Sequence, residues 1–119
     1  MEAKELRIGN YVLDRGNKLI LIDHWEYKDK ISSRRENIFH PLTEFVDYLK
    51  PIPLTEEWLV KFGFDKLEGW DDMYYFQIGD FQIYEYNVSG YEFDDFSIKH
   101  VHQLQNLYFA LTNEELIIK

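Results

Sequence analysis

The stretch from Met73 to Tyr86 constrains the fold more than any other part of the chain. Two runs rich in aromatic residues, Met73–Ile78 and Phe81–Tyr86, are separated by Gly79-Asp80 alone. A two-residue loop of that kind joins antiparallel strands, because the primed turns it favours match the twist of the flanking strands. It also sets the register. Ile78 is expected to face Phe81, Phe76 to face Ile83 and Tyr74 to face Glu85. On the other side Gln77 faces Gln82, Tyr75 faces Tyr84 and Met73 faces Tyr86. The first face reads as core, and the second is amphipathic.

The neighbouring segments extend this pattern. Asn87-Val88-Ser89-Gly90 predicts a second turn. Tyr91–Lys99 predicts a third strand, whose alternation slips near Asp94-Asp95 as at a bulge. From His100 to Leu111, the residues Val101, Leu104, Leu107, Tyr108 and Leu111 form one stripe at helical spacing. Thr112-Asn113 closes that helix, with Asn113 able to take a positive φ at modest cost. Glu114–Lys119, carrying Leu116-Ile117-Ile118, reads as a last strand. Residues 51–119 are thus expected to form an antiparallel meander with one packed helix, in the order β-β-β-α-β.

Residues 1–50 predict a smaller β-rich lobe. Leu6, Ile8, Tyr11 and Leu13 suggest an extended segment with a one-residue shift at Gly9-Asn10. Asp14-Arg15-Gly16-Asn17 is a turn signal, and Lys18–Trp25 is a second strand with a continuous apolar run at Leu19–Ile22. Glu26–Asn37 reads as a loop or a weakly formed strand. From Pro41 to Leu49, the residues Leu42, Phe45, Val46 and Leu49 fit helical spacing, with a strand as the alternative over so short a stretch. Pro51-Ile52-Pro53 must be extended, since each proline disfavours helix in the residue before it. A short linking helix follows, with Thr55 as N-cap, Glu56 and Glu57 in the first turn, and Gly63 at the end. With 119 residues, the chain is expected to be one compact α+β domain with lobes 1–50 and 51–119.

Charge divides the two lobes. Residues 1–50 balance nine basic against nine acidic side chains. Residues 51–119 hold four basic and thirteen acidic side chains, which is the whole net charge of −9. Such a field opposes direct nucleic-acid binding and favours a basic partner. Cysteine is absent, which excludes disulfides, thiolate metal sites and a thiol nucleophile. No apolar run is long enough to cross a membrane as a helix, and no signal peptide is evident, so the expected compartment is the cytoplasm.

Catalytic chemistry finds no constellation. His100-Val101-His102 would share a face in an extended segment, but would diverge by about 200° at a helix start. His24 and His40 have no motif around them. The acid pairs Asp71-Asp72 and Asp94-Asp95 point oppositely along a strand, so turns and bulges explain them more simply than a dyad or a cation site. The serines lack a nucleophile elbow, and the glycines are isolated turn residues. The expectation is no catalytic residue, no metal and no cofactor.

At Leu6-Arg7-Ile8-Gly9-Asn10-Tyr11-Val12, at Pro51-Ile52-Pro53-Leu54-Thr55-Glu56-Glu57-Trp58-Leu59 through Phe62-Gly63-Phe64, and at Val101-His102-Gln103-Leu104-Gln105-Asn106-Leu107-Tyr108-Phe109-Ala110-Leu111-Thr112, the chain resembles a family of small uncharacterised proteins. They occur in Bacteroides-type bacteria and their phages or prophages. Members of that family usually carry Gly at the position of Asn113. The resemblance implies no activity; it implies a compact bacterial or phage protein acting inside the cell.

The strongest functional signal is aromatic. Ten rings lie between Trp70 and Phe96, and five are tyrosines. Tyrosine suits interfaces because it offers area and a hydroxyl at low entropic cost. The expectation is a non-enzymatic interaction protein that docks a protein partner or itself through Tyr75, Tyr84, Tyr86 and Tyr91. The helix face bearing His102, Gln105, Asn106 and Phe109 would either contact a partner or hydrogen-bond loops of the first lobe. Two alternatives stand beside this reading. One is a nucleotide-like ligand held by Arg7, Arg34 and Arg35; the other is an acidic nucleic-acid mimic acting against host defence.

Overall fold

The computed structural model describes residues 5–27, 30–35, 42–45, 49–70, 73–86, 90–94 and 96–119, with the backbone alone for 23–27, 30–35, 42–45 and 86. It is α+β, with two antiparallel sheets and two helices among the described residues. The first sheet runs in chain order through β1 (Tyr11–Leu13), β2 (Leu19–Tyr27), β3 (Lys30–Arg35) and β4 (Leu42–Phe45). Helix α1 (Glu56–Phe62) follows. A five-stranded meander then comprises β5 (Asp65–Glu68), β6 (Tyr74–Ile78), β7 (Phe81–Tyr86), β8 (Gly90–Phe93) and β9 (Phe96–Ile98), and α2 (Val101–Thr112) closes it.

The β6–β7 ladder has the register set by its loop: Ile78↔Phe81, Gln77↔Gln82, Phe76↔Ile83, Tyr75↔Tyr84 and Tyr74↔Glu85. It begins at Tyr74, one residue after the expected Met73–Tyr86 pair. Gly79 takes a φ of 58° and Asp80 stays on the negative side, which is the pattern of a II′ turn. Phe76, Phe81 and Ile83 are buried, so the expected core face is the core face. The helix ends also behave as read. Thr55 Oγ accepts from Trp58 N at 3.4 Å, and Gly63 and Asn113 close their helices at φ 95° and 60°.

Four elements differ from expectation. Pro41 lies outside the described residues, and the stretch after it forms β4, not a helix. Its backbone pairs with β3 from Lys30↔Phe45 to Ser33↔Leu42. So short a helix has little stability of its own, and an available sheet edge outcompetes it. Glu26–Asn37 yields two paired segments, the end of β2 and β3, with register shifts between Ile22 and His24 and between Trp25 and Tyr27. Tyr91–Lys99 is not one bulged strand but two, β8 and β9, which pair at Phe93↔Phe96 after Asp94 takes a φ of 51°. Strand β5 was not expected at all; its sequence Asp-Lys-Leu-Glu is charged because it is a sheet edge, where charge guards against further pairing. The proposed turn at Asn87-Val88-Ser89 lies outside the described residues.

The tail also departs. Glu114–Lys119 joins no sheet and runs along the junction of the two lobes. Leu116 is buried there, Ile118 N donates to the Tyr11 hydroxyl at 3.2 Å, and Lys119 N donates to Lys61 O at 2.9 Å.

The β1–β2 hairpin is covered on both sides, which is why Leu19–Ile22 is uninterruptedly apolar. Val12, Ile20 and Ile22 form a small cluster with Leu6 and Leu49. Tyr11, Leu13, Leu19 and Leu21 face the main core, which is built from α1, α2 and the inner face of the meander. The Pro51-Ile52-Pro53 joint is extended and tied down: Val101 N donates to Ile52 O at 2.8 Å, and Leu54 N donates to Lys99 O at 3.0 Å.

Candidate interaction surface

The register of the meander sorts its side chains. One row crosses all five strands on the face turned away from the core: Leu67, Tyr75, Tyr84, Glu92 and Ser97. The next row holds Asp65, Gln77 and Gln82. Neither row contains a basic residue. The Tyr75 and Tyr84 rings meet edge to face, with centroids 5.0 Å apart and planes at 74°. Gln82 Nε2 donates to Gln77 Oε1 at 3.4 Å, and Gln77 Nε2 donates to Gly79 O at 2.9 Å. Tyr75 lies directly over Gly69, where a Cβ would stand 2.4 Å from the ring. The next residue, Trp70, is 82% exposed, and Leu67 is 43% exposed.

Lys66, the one basic residue between Asp65 and Asp95, lies on the inner side. Lys66 shares a row with Phe76, binds Glu56 at 2.5 Å and lies over the Tyr74 ring at 4.2 Å. The hydrogen bond to Glu56, ahead of other influences, raises its pKa. The outer rows are left with carboxylates and rings.

The expected contact residues divide. Tyr75 and Tyr84 are on the outer face. Tyr91 is not: it is 9% exposed, its ring packs on Phe76 at 5.8 Å, and burial followed by a hydrogen bond to Glu85 pushes its hydroxyl pKa up. Its pairing opposite Glu85 on β7 places it in the inner row, with Ile98 on its other side. The side chain of Tyr86 lies outside the described residues.

The polar face of α2 is turned inward. Gln105 is fully buried. Its Nε2 donates to Gly9 O at 2.9 Å and Leu116 O at 3.1 Å, and its Oε1 accepts from Tyr11 N at 2.9 Å. Asn106 Oδ1 accepts from Asn10 Nδ2 at 2.9 Å and Arg7 Nε at 3.1 Å, while its Nδ2 donates to Glu5 O at 2.9 Å. Arg7 also pairs with Glu115 and stacks on the Phe109 ring at 4.2 Å. Asn106 and Phe109 therefore bind the first lobe, and Arg7 is engaged inside the molecule instead of awaiting an anion. Arg34 and Arg35 lie on β3, with side chains outside the described residues. This seam joins the stretches Leu6–Val12 and Val101–Thr112. The Pro51–Phe64 stretch meets it where Trp58 and Phe62 pack on Tyr11 at 5.7 and 6.0 Å.

His102 is 1% exposed, and neither ring nitrogen has a hydrogen-bond partner among the described residues. A Glu5 carboxylate oxygen stands 3.7 Å from Nε2, beyond hydrogen-bonding distance. Burial lowers its pKa, opposed by Glu5 and reinforced by His100. The His100 and His102 rings do not diverge as a helix start would require. His100 is the extended N-cap, and the two rings stack 5.7 Å apart with planes at 9°. Among the described residues no three histidine or carboxylate groups are placed to hold a metal. The side chain of His24 and all of His40, Asp71, Asp72 and Asp95 lie outside the described residues. No described helix is long and apolar enough to cross a membrane.

Leu67 and Gly69 were missed as site residues. Only the unexpected strand β5 brings them beside Tyr75, so no sequence signal short of that strand would have found them.

No family model, curated protein or solved structure matches the chain.

Proposed function

We propose that this protein is a non-enzymatic interaction module of the cytoplasm that docks a protein partner through the outer face of its five-stranded sheet. The observation that carries this reading is the row Leu67–Tyr75–Tyr84–Glu92–Ser97, which crosses every strand on the face away from the core. Half-buried tyrosines flanked by carboxylates and free of bases suit a partner that presents apolar and basic side chains together.

The other readings draw less support. A phosphate mimic needs carboxylates in rows on one surface, whereas Glu68 and Glu85 share the inner face and Asp65 and Glu92 the outer one. A nucleotide-like ligand would need Arg7, whose guanidinium is already held by Glu115, Asn106 and Phe109.

The test is a pair of variants that place a positive charge on this face, Leu67→Arg and Tyr84→Arg, each checked for native circular dichroism. Light scattering reads self-association, and affinity capture in low and high salt reads a foreign partner. Loss of a salt-sensitive complex in both variants, but not in Lys99→Ala, supports the docking face. A wild-type chain that stays monomeric and captures nothing opposes it, as does capture unaffected by either variant.

A further inference from the structure

A groove of about 410 Å³ opens where the β6–β7 turn meets the C-terminal end of α2. That size falls within the range of about 300–1,000 Å³ typical of ligand pockets. Buried Phe81 and Tyr108 and half-buried Phe93 supply its carbon surface, beside exposed Leu111. The Phe81 and Phe93 rings stack at 5.3 Å with planes 6° apart, and Tyr108 meets Phe81 edge-on at 5.2 Å. This aromatic wall is rigid, since each ring is held by another.

The polar lining has one sign. Asp80 and Glu114 are exposed, and neither carboxylate has an ion-pair or hydrogen-bond partner among the described residues. No basic residue lines the groove, and α2 has none in its last turn. The Thr112 hydroxyl is already used: it donates to Tyr108 O at 2.7 Å and accepts from Glu114 N at 3.1 Å. The negative end of the α2 dipole opens at the same place. An anion would be repelled here, and a purely apolar occupant would leave two carboxylates unanswered. A cation on a short carbon stem satisfies both parts, with charge against the carboxylates and stem against the rings.

We propose that this groove binds a guanidinium or alkylammonium group on an apolar stem, the charge between Asp80 and Glu114 and the stem along Phe93 and Leu111. The groove is built from the inner-face row Ile78–Phe81 and from α2, not from the outer tyrosine row, so this site stands independently of the docking face.

The experiment is a titration followed by amide chemical shifts at constant ionic strength. The probes are butylguanidine, a capped glycine-arginine-glycine peptide, and neutral butylurea. Saturable shifts at Gly79, Asp80, Thr112 and Asn113 are expected with the two cations, in the millimolar range, and not with butylurea. The double variant Asp80→Asn/Glu114→Gln, whose exposed side chains are free to change without unfolding the chain, should bind about fivefold more weakly or worse. Tighter binding of the peptide than of butylguanidine assigns the cation to a polypeptide side chain; otherwise it is a free small cation. Absence of saturable shifts at these amides, an equal response to butylurea, or undiminished binding by the double variant would overturn the proposal.

Discussion

The seam between the lobes and the outer face of the meander use similar residues to opposite ends. Both are rich in amides, carboxylates and rings. In the seam, Gln105 and Asn106 spend their hydrogen bonds on Gly9, Leu116, Tyr11, Glu5 and Asn10, all inside the chain. On the outer face, Tyr75 and Tyr84 touch each other, while Gln77 and Gln82 bond locally. A polar–aromatic patch therefore says little by its composition. What distinguishes an internal joint from a contact surface is whether its bonding groups are already answered.

Substitutions should separate the two regions sharply. Gln105→Leu is expected to have the largest effect. It strips partners from the buried Tyr11 N–H and Leu116 carbonyl and from the partly buried Gly9 carbonyl, so urea denaturation should show a loss of about 4 kcal/mol. Gly9→Ala comes next, at about 2 kcal/mol. Its φ of 99° is unfavourable for any L side chain, and the new methyl would stand 3.0 Å from the Glu115 carboxylate. Both variants should unfold more easily without changing the outer face of whatever remains folded.

His102 sharpens the contrast through pH. The unfolded imidazole titrates near its ordinary value of 6.5, whereas burial lowers the folded value. Between those values the unfolded chain binds more protons, so stability rises with pH. It is fully present above the ordinary value and is lost as pH falls through it, with Glu5 moderating the loss and His100 deepening it. Thermal melts between neutral and mildly acidic pH should show this slope, and His102→Leu should flatten it. The smallest stability change belongs to the outer face. Tyr84→Thr removes one edge-to-face pair and should cost under about 1 kcal/mol by denaturation. If Tyr84→Thr were as damaging as Gln105→Leu, the distinction between the regions would fail.

Legibility in the sequence followed how local each instruction is. The β6–β7 register was readable because two loop residues dictate it, and the caps at Thr55, Gly63 and Asn113 act within one turn of helix. The inner-face assignment of Phe76 and Ile83 followed directly. Strand β5 was not readable, since it owes its pairing to β6 across a loop rather than to its own composition. The polar side of α2 left two outcomes open, partner contact or hydrogen bonds to loops of the first lobe, and Gln105 and Asn106 take the second. Leu111 belongs to the apolar stripe yet is exposed, while His102 and Gln105 are buried. The helix is covered by loops as well as by the sheet, and loop backbone calls for amides where a sheet would call for leucine. Distant hydrogen bonds of that kind, such as Gln105 to Gly9, leave no periodic trace.

The route of the tail has a consequence for biosynthesis. Leu116 fills a space bounded by both lobes, and the amides of Ile118 and Lys119 fasten to Tyr11 and Lys61. A nascent chain lacking those residues leaves the Gln105 amide and the Tyr11 hydroxyl without their last partners. The two sheets can each pair without this segment, and its contacts add the last fastening across the seam.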